Sequence, residues 1–194
     1  MNRTKSKGRW KLLAVLLVCA APLILSYLTY YVIKPSGRTN YGTILDPRQY
    51  PIPALGSTSL DGKPLGLDAY KGKWIMLVSG PGACADACRK ELFAMRQLRL
   101  MQGKEMERIE RVWLVTDTTP LDTMLMREYD GMRMLRVDAA LLSKWLPVEA
   151  GDTATGHMYL IDPLGNLMMR FPKDADPNKV KKDISKVLKA SAIG

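Results

Sequence analysis

Two of the three cysteines of this chain, Cys84 and Cys88, lie four residues apart. Residues at this spacing share one face of a helix, so both sulfurs could point at one metal ion or at each other if a helix includes both. The N-terminal end of a helix here would favour the thiolate, the form that binds metals and attacks disulfides. Buried, inert cysteines are the alternative, since free cysteine is among the most buried residue types. The neighbouring Gly80, Pro81 and Gly82 favour a reactive site, but the spacing does not separate redox chemistry from metal binding.

The only histidine, His157, is the other candidate ligand. Two thiolates and one imidazole form a three-ligand set suited to copper, and neutral imidazole also binds zinc. A closed structural zinc site needs a fourth protein ligand, and the sequence offers no obvious one. Taken alone, a histidine at the start of a strand is more often structural. The sequence therefore predicts Cys84 and Cys88 as catalytic or metal-binding residues and His157 as a third metal ligand.

The elements on either side of the cysteines must position them. The apolar run Trp74–Val78 predicts a buried strand, residues 79–82 a turn, and the pattern from about Asp86 a helix. Along that helix, apolar residues recur every three positions at Leu92, Met95, Leu98 and Met101. Thioether is a soft copper ligand, but this spacing is typical of core packing, so we assign the methionines to the core.

Strands and helices alternate through the rest of the chain. Asp61-Gly62 predicts a hairpin turn, and Asp176 with Pro177 predicts the start of a final amphipathic helix. Further strands are predicted at 111–116, 134–137, 158–162 and 167–171, and further helices at 120–129 and 139–145. This order predicts an α/β domain over residues 50–194, with a central sheet and a helical layer on each face.

The N-terminal part of the chain predicts a membrane anchor. Leu12–Ile33 contains no charged residue and is long enough to span the roughly 30 Å hydrocarbon core of a bilayer. Five cations precede it: Arg3, Lys5, Lys7, Arg9 and Lys11. The positive-inside rule places residues 1–11 in the cytoplasm and the domain outside it. Residues 34–49 carry glycine, proline and polar residues and are predicted to be a tether.

A cleaved signal peptide is the competing interpretation of this segment. Val18-Cys19-Ala20 loosely fits a small-residue cleavage site, but the apolar run continues well beyond it, and signal-peptide apolar regions are usually only about 7 to 15 residues long. Cys19 lacks the small preceding residue expected of a lipid-modified cysteine, so we expect it to face lipid without a functional role.

Composition and motifs exclude several function classes. The formal net charge is +10, and the five N-terminal cations supply half of it. Aromatic and basic residues do not interleave as a nucleic-acid platform requires, so we expect no nucleic-acid partner. The glycines follow neither phosphate-loop spacing, and no G-x-S-x-G elbow accompanies the histidine.

Four motifs follow one another in an order that is similar to a known family. They are Gly72-Lys-Trp-Ile-Met-Leu-Val, the Cys-x-x-x-Cys followed by Glu91-Leu92, a strand ending in Asp117-Thr-Thr-Pro120, and Met158-Tyr-Leu-Ile-Asp-Pro-Leu-Gly165. Over roughly residues 53–190 the chain resembles the Sco/SenC family of membrane-anchored copper chaperones. The resemblance implies a thioredoxin-like domain of the peroxiredoxin/Sco type, preceded by one transmembrane helix. It also implies a place in a bacterial inner membrane, with the C-terminal domain in the periplasm.

The same resemblance implies a cofactor and a partner. Copper is the implied cofactor, with Cys84 and Cys88 at the positions of the family's copper-binding cysteines. The implied partner is the copper-bearing subunit of cytochrome c oxidase or another copper protein. The family's copper-binding histidine corresponds to Ala154 here, whereas His157 comes three residues later. On an extended strand, an odd offset turns a side chain to the opposite face.

Three functional hypotheses follow. The first is an oxidase assembly factor that handles copper or thiols through Cys84 and Cys88. The second is a thiol–disulfide oxidoreductase in which Cys84, as the more exposed thiol, attacks and Cys88 resolves. The third is a scaffold that has kept the fold and lost the chemistry. Thioredoxin-like reductases usually carry Cys-x-x-Cys and a facing cis-proline, which this sequence lacks, so the first hypothesis is favoured over the second.

Overall fold

The computed structural model describes residues 3–33 and 39–193, which form two compact units divided after Thr39. The first unit contains α1 (Arg3–Tyr27), which continues as a short π-helix over Leu28–Ile33. Within it, Arg9–Ile33 is long and apolar enough to cross a membrane. The predicted 12–33 span lies inside this helix, and Cys19 is exposed on it. Positions 1–2 of the predicted basic segment and 34–38 of the predicted tether lie outside the described residues.

The second unit is built on one mixed seven-stranded sheet. The strands are β1 (Thr43–Ile44), β2 (Thr58–Ser59), β3 (Trp74–Gly80), β4 (Ile109–Val115), β5 (Arg133–Arg136), β6 (Tyr159–Ile161) and β7 (Leu167–Arg170). Their order across the sheet is β1-β7-β6-β3-β4-β5-β2. The central strands β3, β4 and β5 are parallel, and the other neighbouring pairs are antiparallel. The predicted fold class, a central sheet with flanking helices, is confirmed.

Each face of the sheet packs against helices because β3 is apolar on both sides. Successive side chains of a strand point to opposite faces, so Trp74, Met76 and Val78 belong to one cluster, and Ile75 and Leu77 to the other. The first, here called the α2 cluster, is covered by α2 (Asp86–Leu100), α3 (Thr123–Glu128) and α5 (Pro177–Ala190). The second, the α4 cluster, is covered by α4 (Ala139–Trp145). Both faces of the central strands are therefore shielded from water, as is usual for parallel strands.

The apolar stripe of α2 lies in the core as predicted, with one exception. Leu92, Met95 and Leu98 are fully buried, whereas Met101 directly follows the helix and is 46% exposed. The methionine stripe thus packs against the sheet rather than forming a row of metal ligands.

The predicted starts of α4 and α5 agree with the structure. The side chains of Asp138 and Asp176 accept hydrogen bonds from backbone N–H groups in the first turns of α4 and α5, as helix-capping carboxylates do. The expectation that Pro120 opens the third helix is wrong. Asp122 is the cap, accepting from the backbone N–H of Met124, and the helix starts three residues later than predicted.

The predicted tether reaches too far into the domain. The compact unit starts at Asn40, and β1 pairs antiparallel with β7. The backbone N–H groups of Tyr41 and Gly42 both donate to Oδ2 of Asp183, at 2.7 and 2.9 Å, and Asp183 on α5 is buried. The polar composition of this segment resembles a linker, but its hydrogen bonds to the sheet and to α5 make it part of the fold.

Candidate redox site at the start of helix α2

Two loops meet where the parallel strands β3 and β4 end. The carboxyl ends of parallel neighbours lie at the same edge of a sheet, so the loop after β3, which carries the cysteines, lies beside the loop after β4. The backbone N–H of Gly82 donates to Oδ1 of Asp117 over 3.0 Å. That bond is the main reason why the pKa of Asp117 lies below its ordinary value. A Cβ on Gly82 would lie 2.9 Å from the carbonyl oxygen of Thr119, so the two loops are in close contact.

Within this loop, Cys84 and Cys88 form a disulfide. Cys84 precedes the helix and has a positive φ of 37°, which is uncommon for a residue with a side chain. Its backbone N–H donates to the carbonyl oxygen of Pro81 over 3.2 Å. Cys88 lies in the first turn of α2. The four-residue spacing predicted both cysteines on one helix face if a helix included both, but only Cys88 is helical, and the turn at Cys84 brings the sulfurs together.

The two sulfur-bearing residues differ in exposure. Cys84 is 2% exposed and belongs to the α2 cluster, whereas Cys88 is half-buried at the edge of that cluster. The expectation that Cys84 is the more exposed thiol is therefore wrong. Cys84 is buried because it precedes the helix, where the chain turns inward, whereas Cys88 lies in the first turn of the helix.

His157 is not brought together with the sulfurs in a three-ligand group. Its Nδ1 lies 2.8 Å from the carbonyl oxygen of Phe171, and its Nε2 lies 2.7 Å from Oδ2 of Asp152. The ring is 5% exposed, so both nitrogens are engaged inside the domain. Asp152 also pairs with Lys173, and these two contacts, that of Lys173 first, lower its pKa. The imidazole therefore anchors the approach to β6 onto the chain that follows β7.

These contacts do not match the predicted copper site. Within residues 3–33 and 39–193, no group of three or more histidine, cysteine, aspartate or glutamate residues is placed to hold a metal ion. The cysteines are bonded to each other, and His157 is held by acceptors elsewhere. Ala154, at the position of the family's histidine, packs against the α4 cluster, whereas Cys84 lies in the α2 cluster. The residues present do not fit a three-ligand copper site.

Glu91 lies beside the cysteine pair but was not predicted as a site residue from the sequence. It lies on α2 one turn after Cys88, and residues at this spacing are neighbours on a helix. Its side chain is half-buried and lines a cavity of about 420 Å³ together with Ala87, Phe93, Met158 and Asp174, among others. Burial, and secondarily Asp174, raise the pKa of Glu91 to about 7, against the opposing effects of His157 and Lys173. The sequence feature that could have identified Glu91 is the short separation between this acidic residue and Cys88 on one helix.

Asp117 was also missed as a site residue. Its sequence signal was an acidic residue placed directly after a predicted central strand, where the ends of neighbouring strands converge. Its carboxylate also accepts from the backbone N–H of Thr119 over 3.1 Å. Arg136 donates to the carbonyl oxygen of Thr119 over 3.0 Å and also to that of Asp117. The loop after β4 is therefore held rigidly where it supports the loop after β3.

The arrangement is suited to thiol–disulfide exchange. An incoming thiolate can attack a disulfide from the side of its more exposed cysteine, here Cys88, and the reaction passes through a mixed disulfide. The first turn of α2 carries backbone N–H groups without intrahelical acceptors, and their partial positive charge stabilises a thiolate at Cys88. Arg89, next along the helix, is exposed, and its guanidinium is paired with Oδ2 of Asp122 over 3.5 Å.

Solved structures with the same fold include both copper proteins and thiol oxidoreductases. A ScoI from Arabidopsis thaliana with copper bound is 18% identical, with a TM-score of 0.53 over 68% of this chain and 93% of that one. Yeast Sco1 is 16% identical, with a TM-score of 0.55 over 72% of this chain and 100% of that one. The thioredoxin domain of a thiol-disulfide oxidoreductase from Bacteroides vulgatus is 18% identical, with a TM-score of 0.55 over 72% and 96%. These similarities confirm the Sco-like, thioredoxin-like fold predicted from the sequence.

Two family models match the sequence, one in each compact unit. The transmembrane-like N-terminal domain matches residues 2–32, and the transmembrane-like, thioredoxin-like C-terminal domain matches residues 74–191. Among curated proteins, none matches the sequence. The matched residues include nearly all of the apolar helix, the cysteine pair and strands β3 to β7, whereas β1 and β2 precede the matched range. The chain therefore belongs to the family of transmembrane-like proteins with a thioredoxin-like C-terminal domain.

Proposed function

We propose that this protein is a membrane-anchored thiol–disulfide exchange protein that acts outside the cytoplasm. The observation that carries the proposal is the Cys84–Cys88 disulfide at the start of α2, with Cys84 buried and Cys88 only half-buried at the edge of the core. A buried structural disulfide would have both sulfurs inside the core, and an inert cysteine pair would have no need of a helix N-terminus. The third hypothesis, a scaffold without chemistry, has no such support.

The reaction exchanges two electrons and a disulfide bond. In the reduced protein, one thiolate attacks a disulfide of the partner, which releases one partner thiolate and leaves a mixed disulfide. The second cysteine then attacks that mixed disulfide. The internal Cys84–Cys88 bond forms, and the second partner sulfur leaves as a thiolate. The partner ends as a dithiol and this protein as the disulfide.

We propose that the partner is a copper protein. The first candidate is the copper-bearing subunit of cytochrome c oxidase. Copper sites built from cysteine need thiolates, so a reductant of their cysteines would prepare them for metallation. The fold similarity to Sco proteins supports this client. The five cations before the uncharged run Leu12–Ile33 support an orientation with the domain in the periplasm of a bacterial inner membrane.

Copper delivery is the second candidate function. One observation favours it: the similar fold of the Arabidopsis thaliana ScoI is described with copper bound. The residues of this structure do not fit the three-ligand site predicted from Cys84, Cys88 and His157. We therefore derive no step through copper. A Cu(I) competition titration on the reduced protein, beside Cys84→Ser and His157→Ala, tests this function.

The proposed exchange is tested with the full-length chain in detergent. The protein is equilibrated in glutathione buffers of graded redox poise, its thiols are trapped with a maleimide mass tag, and the two oxidation states are counted. We expect one transition in which two thiols appear together, and reduction of a disulfide-containing peptide by the dithiol form. The double variant Cys84→Ser, Cys88→Ser should do neither. A disulfide that no dithiol reduces in the folded protein would rule out exchange.

A further inference from the structure

We propose that the partner bonds to Cys88 and that Cys84 is the internal sulfur that opens and closes the disulfide. This inference rests on the proposed thiol–disulfide exchange and names the residue that touches the partner. It reverses the order expected from the sequence, in which Cys84 attacks and Cys88 resolves.

The packing around Cys84 excludes a partner chain. The residue is 2% exposed and is part of the α2 cluster, which also contains Val78 and Met158. A partner sulfur could reach it only if this part of the core opened. Thiolates are also poorly stabilised in such apolar surroundings, which makes a buried cysteine a slow nucleophile toward an external disulfide.

The loop that carries Cys84 is also fixed in place. The backbone N–H of Gly82 is bound to Asp117, and there is no space for a Cβ at position 82. The backbone N–H of Cys84 itself is bound to Pro81. A movement that exposed Cys84 would break both hydrogen bonds and separate the loops after β3 and β4. Moving Cys84 to the surface would therefore cost free energy, because the loop would have to give up both hydrogen bonds.

Cys88 is the more exposed of the two cysteines, half-buried at the edge of the same cluster. Residues 85–87 and Arg89 are exposed, so solvent and a partner chain reach the helix surface beside it. Its place in the first turn of α2 stabilises its thiolate, both when it attacks a partner and when it is displaced from one. Ala87, directly before it, lines the 420 Å³ cavity. Cys88 is therefore both the more accessible cysteine and the one whose thiolate is better stabilised.

The reduced protein acts on a partner disulfide in two steps. The thiolate of Cys88 attacks one partner sulfur, the partner S–S bond breaks, and the other partner sulfur leaves with the electron pair and takes a proton from solvent. The thiol of Cys84 then loses its proton, which passes to solvent, and its sulfur attacks Sγ of Cys88 from inside the domain. The internal S–S bond forms, and the first partner sulfur leaves as a thiolate. In reverse, a partner thiolate attacks Cys88 and displaces Cys84.

Single-cysteine variants of the full-length chain test this assignment. Cys19→Ser is combined with Cys84→Ser, which leaves Cys88, or with Cys88→Ser, which leaves Cys84. The rate at which each remaining thiol forms a mixed disulfide with oxidised glutathione is measured in detergent at neutral pH. We expect Cys88 to react at least about tenfold faster than Cys84, because only Cys88 is accessible and stabilised as a thiolate.

The same rates in 6 M guanidinium serve as the reference, since unfolding should remove most of the difference between the two thiols. A Cys84 thiol that reacts as fast as Cys88, or faster, in the folded protein overturns the assignment. If one variant fails to fold, the chain carrying only Cys19→Ser is reduced, mixed with a peptide disulfide and quenched with acid before the internal sulfur resolves the mixed disulfide. Mass spectrometry then identifies the bonded cysteine: Cys88 supports the proposal, and Cys84 overturns it. The graded glutathione equilibrium of the unsubstituted chain tests the exchange function separately, so failure of that function is distinguishable from a wrong assignment.

Discussion

Oδ1 of Asp117 accepts a hydrogen bond from the backbone N–H of Gly82 over 3.0 Å, which fastens the cysteine loop to the loop after β4. These residues are far apart in sequence, and the parallel pairing of β3 with β4 brings them together. The contact holds the turn in which Cys84 points inward. The rigidity of the redox site therefore depends on this backbone contact as well as on the disulfide.

We expect Gly82→Ala to lower the free energy of unfolding by about 1–3 kcal/mol, as overpacking of a tight site does. The new Cβ would lie 2.9 Å from the carbonyl oxygen of Thr119, and a backbone atom cannot move aside easily. Urea denaturation of the oxidised protein measures the change. Gly80→Ala is the matched control, because its Cβ would meet only the Thr155 side chain at 3.7 Å, an ordinary contact. Equal stabilities of the two variants would contradict the close contact at position 82.

The half-buried carboxyl of Glu91 should make stability depend on pH. Its pKa is raised from the ordinary value of 4.5 to about 7 in the folded protein, so the folded state holds this proton more tightly than the unfolded state does. The resulting stabilisation is fully present below about pH 4.5 and is lost as the pH rises through 7. For Glu91→Gln we expect no such loss, and a gain over the native chain of about 1–2 kcal/mol at pH 8 after allowance for solvent screening.

Urea denaturation of the oxidised protein at pH 5 and pH 8 measures this effect. Glu128→Gln removes an exposed carboxyl and serves as the control. If Glu91→Gln kept the same difference in stability between the two pH values as the native chain, the carboxyl would not be the source of the pH dependence.

His157→Ala should destabilise the protein in metal-free buffer. The substitution removes the side chain that bonds to the carbonyl oxygen of Phe171 and to Asp152, and it leaves a space in a buried position. We expect the free energy of unfolding to fall by about 2–4 kcal/mol from the lost hydrogen bonds and the cavity. Chemical denaturation in the presence of a chelator measures it. An unchanged stability, accompanied by weaker Cu(I) binding, would instead assign His157 as a ligand.

Asp183 should be needed to attach the start of the domain. Its Oδ2 accepts from the backbone N–H groups of both Tyr41 and Gly42, and the residue is buried. Asp183→Ala leaves both donors without this acceptor, and we expect a loss of about 1–3 kcal/mol. Hydrogen exchange of the two amides should become faster. Lys182→Ala, an exposed neighbour on the same helix, is the control and should leave both exchange rates unchanged.

Local patterns account for the parts of the fold that were predicted correctly. The apolar run from Trp74 is buried on both faces, and such runs mark central strands wherever they occur. The helix at Ala139–Trp145 and the start of α5 follow from capping carboxylates, which act within a few residues of themselves. The helix start was misassigned to Pro120 because the residue that caps the helix, Asp122, lies only two residues further on, where it accepts from the backbone N–H of Met124.

The sequence by itself determined the apolar helix, the α/β domain and the position of the cysteine pair between a strand and a helix, because each depends on spacing along the chain. Only the tertiary structure decided which sulfur is accessible, since the exposure of Cys84 depends on an inward turn and on core residues from several elements. It also decided that His157 bonds to Phe171 and Asp152 and that Glu91 lies in a cavity with a raised pKa. Burial and electrostatic surroundings are sums over neighbours distant in sequence, and no local pattern contains them.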